Sequence, residues 1–263
     1  MAWSPRRVAG ALLGRDLIRR ALPALFGVTL ALAARPAAAI VGGGPPTFYV
    51  DVNDAVGATQ FYDLGFYGDR AVVSNIEAGS IWNLHETLVG RVSEYVADPA
   101  ILATGTTQLG EFDFHATAVG QAIGGLGSGF TYQAGIAPYA QLWSGAIATS
   151  WVPGAFSTGF MITPASFLYP YVKTMRVGIS TTSGTVRADV VNSSWGYDDI
   201  DGMDARTIAI DALAKERNVV VVISAGNDGP AAGTVNGPAS GYNSIAVAAT
   251  ATGTTTQIGR AHV

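Results

Sequence analysis

Three polar residues have the types and spacing to do chemistry together: Glu77, His115 and Asn227. Each falls just past an apolar run or at the start of a helix-like stretch. A carboxylate can orient an imidazole, an imidazole can act as a general base, and an Asn side chain can donate a hydrogen bond to an oxyanion. This is most of a nucleophilic hydrolase, with the nucleophile missing. Each residue also has a plainer reading. Glu77 could cap a turn or be a surface carboxylate. His115 could be a helix N-terminal histidine. Asn227-Asp228-Gly229 favours a turn by itself. Asp113 reads as a loop acid and His85 as a structural residue. Gly124 to Gly129 follows a helix rather than a strand, so it reads as a surface loop and not a nucleotide loop.

The elements that would position the three residues alternate in type. Ala71 to Ile76 is a short apolar strand entering the turn Glu77-Ala78-Gly79. His115 to Leu126 reads as a helix of small residues made for close packing. Gln141 to Ala146 reads as a strand, and 145–163 as loop. Pro164 to Val177 reads as a helix with Pro164 in its first turn and Pro170 disturbing its middle. Ala188 to Ser194 is a β-branched run into Trp195-Gly196. In Asp204 to Arg217 the apolar residues recur at helical spacing, with Asp near the start and Asn218 at the end. Val219 to Ser224 reads as a strand buried on both faces, and Ser244 to Ala249 as another buried strand. Strands alternating with helices predict an α/β fold in three layers with a mainly parallel central sheet. Functional groups are then expected at strand C-terminal ends.

The ends differ from the middle. Residues 1 to 20 carry five Arg against one acid, Asp16, and an apolar run follows from Ala21 to Ala34 before Arg35-Pro36-Ala37-Ala38-Ala39. That pattern predicts a signal peptide cleaved after Ala39. The run is shorter than the ~20 residues a membrane span needs. Arg19-Arg20 leaves a twin-arginine route open. Residues 40–69 read as an extension or linker, Gly/Pro-rich in its first part. Removing 1–39 takes six of the 15 basic residues and one of the 19 acids, so the exported part is near −9. An acidic body argues against nucleic acid and anionic membranes as partners. A hydrophobic content of 49% excludes disorder, and the absence of Cys excludes disulfides, thiolate chemistry and Cys-ligated metal.

Five segments resemble, in order, the motifs of the subtilisin-like serine peptidases, or subtilases. Val219 to Gly229 (VVVVISAGNDG) resembles the strand leading to the family's oxyanion-hole Asn, and Gly241 to Thr250 follows in matching spacing. Asp189 to Gly196 (DVVNSSWG) resembles the strand whose backbone pairs with substrate. Gly135 to Leu142 (GIAPYAQL), His115 to Gly120 (HATAVG) and Ala71 to Gly79 resemble three more family segments, the last two carrying the catalytic His and acid. The resemblance covers residues 70–257 as a partial catalytic domain and is carried by about 70–250. It implies His115 as base, Glu77 as orienting acid and Asn227 in the oxyanion hole. It further implies that Ser194, Trp195 and Gly196 line the substrate cleft with their backbone. The sequence departs from the pattern at Glu77, where the family has Asp, and at Ala116, Ala118 and Gln121. The family's nucleophile lies well beyond the 36 residues that follow Asn227, and Gly253-Thr254-Thr255 comes too early to supply it. Ile258 to Val263, with His262, is what one reading frame of a common sequencing adapter encodes, so 258–263 are expected to be non-native.

The resemblance thus implies an exported, monomeric endopeptidase acting on polypeptides through a Glu/His/Ser triad whose Ser lies beyond the chain, so the fold is expected to be incomplete at its C-terminal side and the chain inactive. No cofactor or metal site is identifiable, although the resemblance allows a structural calcium. A subtilase-like binding or surface module without catalysis is the alternative.

Overall fold

Among the described residues the chain folds around a six-stranded sheet whose strands all run parallel, in the order β10 (Ser244–Val247), β9 (Val220–Ser224), β8 (Val190–Ser193), β1 (Val72–Glu77), β3 (Gln141–Ala146) and β2 (Val92–Val96). In the computed structural model the described residues are 52–100, 112–127, 133–151, 160–229 and 231–249. The expected signal peptide, the Gly/Pro-rich start of the extension, the Gly253-Thr254-Thr255 segment and the 258–263 tail lie outside them. So do the whole of 101–111 and parts of the Gly124–Gly129 loop and the 145–163 loop.

Among the described residues two four-residue helices come first, α1 (Val52–Ala55) and α2 (Thr59–Tyr62). They are not a free linker: the Tyr62 hydroxyl donates to Ile136 O at 2.7 Å, and Tyr62 stacks on Tyr67. The sheet strands are β1 (Val72–Glu77), β2 (Val92–Val96), β3 (Gln141–Ala146), β8 (Val190–Ser193), β9 (Val220–Ser224) and β10 (Ser244–Val247). Two short antiparallel pairs complete the strands, β4 (Ser150–Trp151) with β5 (Phe160–Met161), and β6 (Ile179–Thr181) with β7 (Gly184–Val186). The first of these pairs lies inside the stretch expected to be loop.

One face of the sheet carries α4 (Pro164–Tyr171) and α5 (Ala205–Arg217) over the main core, built from Trp143, Phe167, Tyr171, Ile76, Val191, Ile210 and Ile223. The other carries α3 (Phe114–Gly124), which packs on β1 and β3 through Ala116, with Ile81, Leu88 and Leu142 around it. The architecture is therefore three-layered α/β with a parallel sheet, as the alternation of elements predicts.

Local signals explain the helix ends. Asp204 caps α5 by accepting from Arg206 N–H, and Asn218 closes it in a left-handed conformation, φ 53°. Thr163 and Ser166 form a reciprocal capping box at α4. Pro170 has no N–H to give the ladder, and its own carbonyl accepts from the Thr174 hydroxyl at 2.7 Å. The α-helix consequently gives way to π-helical turns over Val172–Val177, so the single helix expected over 164–177 is two kinds of helix.

Gly135 shows why a glycine starts the GIAPYAQL segment. A Cβ there would stand 2.7 Å from Gln121 O, Gly124 N and Gly125 N, all backbone atoms at the end of α3. Gly135→Ala is expected to destabilise the fold by roughly 1–3 kcal/mol, read as a Tm several degrees lower. An unchanged Tm would mean that this helix end is not tightly held.

Two strand expectations need correction. β9 is not buried on both faces: Val221 and Ile223 are in the core, but Val220 is 47% exposed. β10 is exposed along most of its length, with Ile245 at 56% and Val247 at 50%. The reason lies in the layers. α3 covers β1 and β3, and among the described residues the same face of β9 and β10 has no helix packed extensively on it. An apolar run reports hydrophobicity, whereas burial also depends on what lies over it.

Candidate active site

The sheet changes direction at β1. After β1 the chain builds β2 and β3 on one side of it, then returns to add β8, β9 and β10 on the other. In open parallel sheets such a switch point leaves a crevice beyond the strand C-terminal ends. Glu77 is the last residue of β1, Ser194 follows β8, and Asn227 lies in the loop after β9. His115 enters from the first turn of α3. One cleft of about 290 Å³ is lined by Glu77, His115, Ser194, Trp195, Gly196 and Asn227. All six residues singled out by sequence are therefore brought to one place.

The tightest contact is between Glu77 and His115. Glu77 Oε2 lies 2.9 Å from His115 Nδ1, and the carboxylate is 1% exposed. Its other oxygen, Oε1, accepts the Ser194 backbone N–H at 2.8 Å. With both oxygens engaged the carboxylate has one orientation. Burial pushes Glu77 above the usual carboxylate range, against the pull of His115 and of the Ser194 N–H. The Glu77 hydrogen bond in turn holds His115 above the ordinary histidine value, against its own partial burial. The pair thus favours Nδ1 protonated toward Glu77, which leaves Nε2 as the nitrogen able to accept a proton.

Asp113 is not the loop acid that its position suggested. It caps α3: Oδ1 accepts from His115 N–H at 3.0 Å, and Oδ2 from Gly79 N–H at 3.4 Å. One side chain therefore starts the histidine's helix and ties it to the turn after Glu77. An Asp two residues before a helix-starting His is a readable capping signal.

The Ser194–Gly196 segment divides its tasks. The Ser194 N–H is committed to Glu77 and is not free to pair with another chain. Trp195 is 8% exposed and its indole belongs to the core, packed edge-on to Phe167 and donating to Ile76 O at 2.9 Å. Gly196 is pressed against Gly237, whose carbonyl would meet a Cβ at 2.9 Å. Asn227 is exposed and opens on the cleft.

His85 is placed away from the pair. Its Nδ1 lies 3.0 Å from the Thr87 hydroxyl and its ring sits edge-on to Trp82. It borders a larger hollow of about 760 Å³ on the outer flank of α3. Among the described residues no three His, Cys, Asp or Glu side chains are arranged to hold a metal ion, and no helix is long and apolar enough to cross a membrane.

Sequence reasoning missed the polar contacts beneath the cleft. Asn75 of β1 and Asn192 of β8 are joined side chain to side chain at 2.9 Å, and the Tyr171 hydroxyl meets Ser193 Oγ at 2.7 Å. Both pairings depend on strand register and helix packing that no local pattern announces.

Comparison with known proteins points one way. A family model described as the subtilase family matches residues 94–259, which takes in His115, Ser194 to Gly196 and Asn227 and begins after Glu77. Pyrolysin of Pyrococcus furiosus is 38% identical over 73 residues, 27% of this chain and 5% of pyrolysin. The CspB protease of Clostridium perfringens shares the fold at a TM-score of 0.50 and 16% identity, over 68% of this chain and 41% of its own. A protein described as the S41 psychrophilic protease is 25% identical over 69% of this chain and 54% of its own, with a TM-score of 0.48. The chain thus spans about half or less of the length of these relatives.

Proposed function

Because the chain belongs to the subtilase family, we propose that it carries the acid, the base and the oxyanion donor of an exported serine endopeptidase whose nucleophile lies beyond residue 257. The observation that carries this reading is the buried Glu77–His115 hydrogen bond of 2.9 Å at the switch point of a parallel sheet. A serine hydroxyl would attack the peptide carbonyl as His115 Nε2 takes its proton. Glu77 would hold Nδ1–H and offset the charge that develops on the imidazole. Asn227 and a backbone N–H would hold the oxyanion. His115 would then hand its proton to the leaving amine, and water would repeat the sequence to release the acid. The substrate would lie extended along the segment after β8. The leader and the polypeptide substrate belong to the same proposal, as does a monomeric exported form. Structural calcium, if bound, would not enter the chemistry.

The exposed apolar strip formed by Val220, Ile245 and Val247 supports the same reading. It lies on the α3 face of the sheet, beside the cleft. A helix bearing the nucleophile would cover that strip and bring its hydroxyl toward His115.

The test is labelling by a serine-reactive phosphonate. The gene extended past codon 257 is expected to give a protein that labels at one serine, and His115→Ala should abolish the labelling. A folded, extended protein that does not label would sink the peptidase reading and leave a binding module as the function of the fold.

A further inference from the structure

Asn75 and Glu77 lie two residues apart in β1, so both side chains face α3. Asn75 is 1% exposed. Its Nδ2 donates to the carbonyl of Ala116, the residue after His115, at 3.3 Å. Its Oδ1 accepts from Nδ2 of Asn192, the residue opposite it in β8, at 2.9 Å. Asn192 Nδ2 also reaches Ser194 Oγ at 3.1 Å, and Ser194 N–H is the group that holds Glu77 Oε1. Hydrogen bonds and the backbone between them close two circuits. One runs from Asn75 through Asn192 and Ser194 back to Glu77. The other runs from Asn75 through Ala116 and His115 back to Glu77.

We infer that Asn75 is a positioning residue, which, clamped to Asn192 and to Ala116 O, fixes the distance between Glu77 and His115. The inference rests on the acid–base reading of that pair. A Glu has one more rotatable bond than an Asp, so its carboxylate is positioned only if strand and helix are both held. Packing alone does not call for an amide at this place: a Val at 75 would suit a buried strand position as well. A buried amide is costly unless its hydrogen bonds are met. Here the bonds are met, and they join the three elements that carry the acid, the base and the cleft wall. Among the described residues the other titratable groups that act on the pair are Asp113 at the start of α3 and Tyr171 at the end of α4.

The experiment follows the His115 ring by NMR titration in the chain as it stands, which needs no nucleophile. Asn75→Val is expected to move the His115 midpoint down toward the ordinary histidine value and to broaden the Nδ1–H signal. Ser74→Ala removes an equally buried side chain from the opposite face of the same strand and should leave both readings unchanged. If Asn75→Val does not fold, Asn192→Ser breaks the clamp from its other end and should give the same shift. A folded variant of either kind whose His115 titration superimposes on the wild type overturns the inference. Failure of the phosphonate labelling would instead remove the peptidase reading and leave the titration result as it is.

Discussion

Glu77→Gln is expected to lower kcat of the nucleophile-bearing protein by about 10⁴-fold, the scale seen when a triad acid becomes an amide. The cause is tautomer control. The carboxylate accepts Nδ1–H at 2.9 Å, which keeps Nε2 free of its proton. An amide nitrogen in the same place donates to Nδ1 instead and leaves the proton on Nε2, where it blocks the base. The pH dependence changes as well. In the proposed reaction the base is neutral His115, and Glu77 raises the histidine above the ordinary value of 6.5, so the acid limb of kcat/KM is expected above that value. Removing the carboxylate moves the limb to lower pH.

The same raised values predict a stability effect in the chain itself. A histidine bound more tightly by its proton in the folded state contributes fully below its unfolded value near 6.5, and that contribution is lost as pH rises through the folded value. Glu77 is also raised, so it works in the same direction. Thermal melting of the wild type should therefore fall across that window, and melting of Glu77→Gln should be flatter. Equal slopes in both proteins would show that Glu77 does not raise the histidine.

The second large effect is structural. Trp195→Ala is expected to cost about 3–5 kcal/mol, or a Tm lower by roughly 10 °C in a domain of this size. The indole packs edge-on to Phe167 at 5.7 Å and to Phe160 at 6.4 Å, and lies against Tyr197. Its N–H satisfies the carbonyl of Ile76, the residue before Glu77. Trp195→Phe keeps a ring but loses the hydrogen bond and part of the indole's packing, so it should cost about 1–3 kcal/mol. Chemical denaturation separates the two variants. A Trp195→Ala protein within 1 kcal/mol of the wild type would mean that the indole is a cleft lining and not part of the core.

What the sequence revealed is what local patterns encode. The β-branched run before Glu77, the capped stripe from Asp204 to Asn218 and the small-residue helix after His115 each state their own structure within a dozen residues. The layered architecture and the parallel sheet then follow from the alternation of elements. The missed features are those that two distant segments make jointly. Asn75 meets Asn192 across 117 positions of sequence, and only the β1–β8 register makes them neighbours. Tyr62 finds Ile136 in the same non-local way. The exposure of Val220 and Ile245 was hidden for the opposite reason, since their strands look identical whether or not another layer lies above them.

The place of β1 has a consequence for how the molecule opens. β1 is hydrogen-bonded on both edges, to β3 and β8, whereas β9 has only the edge strand β10 beyond it. Among the described strands both outer ones, β2 and β10, are therefore expected to open before β1 does. Glu77 ends a strand held from both sides, whereas Asn227 follows β9, one strand from an edge. Exchange of backbone amides with solvent is expected to be slower at the end of β1 than in the loop after β9.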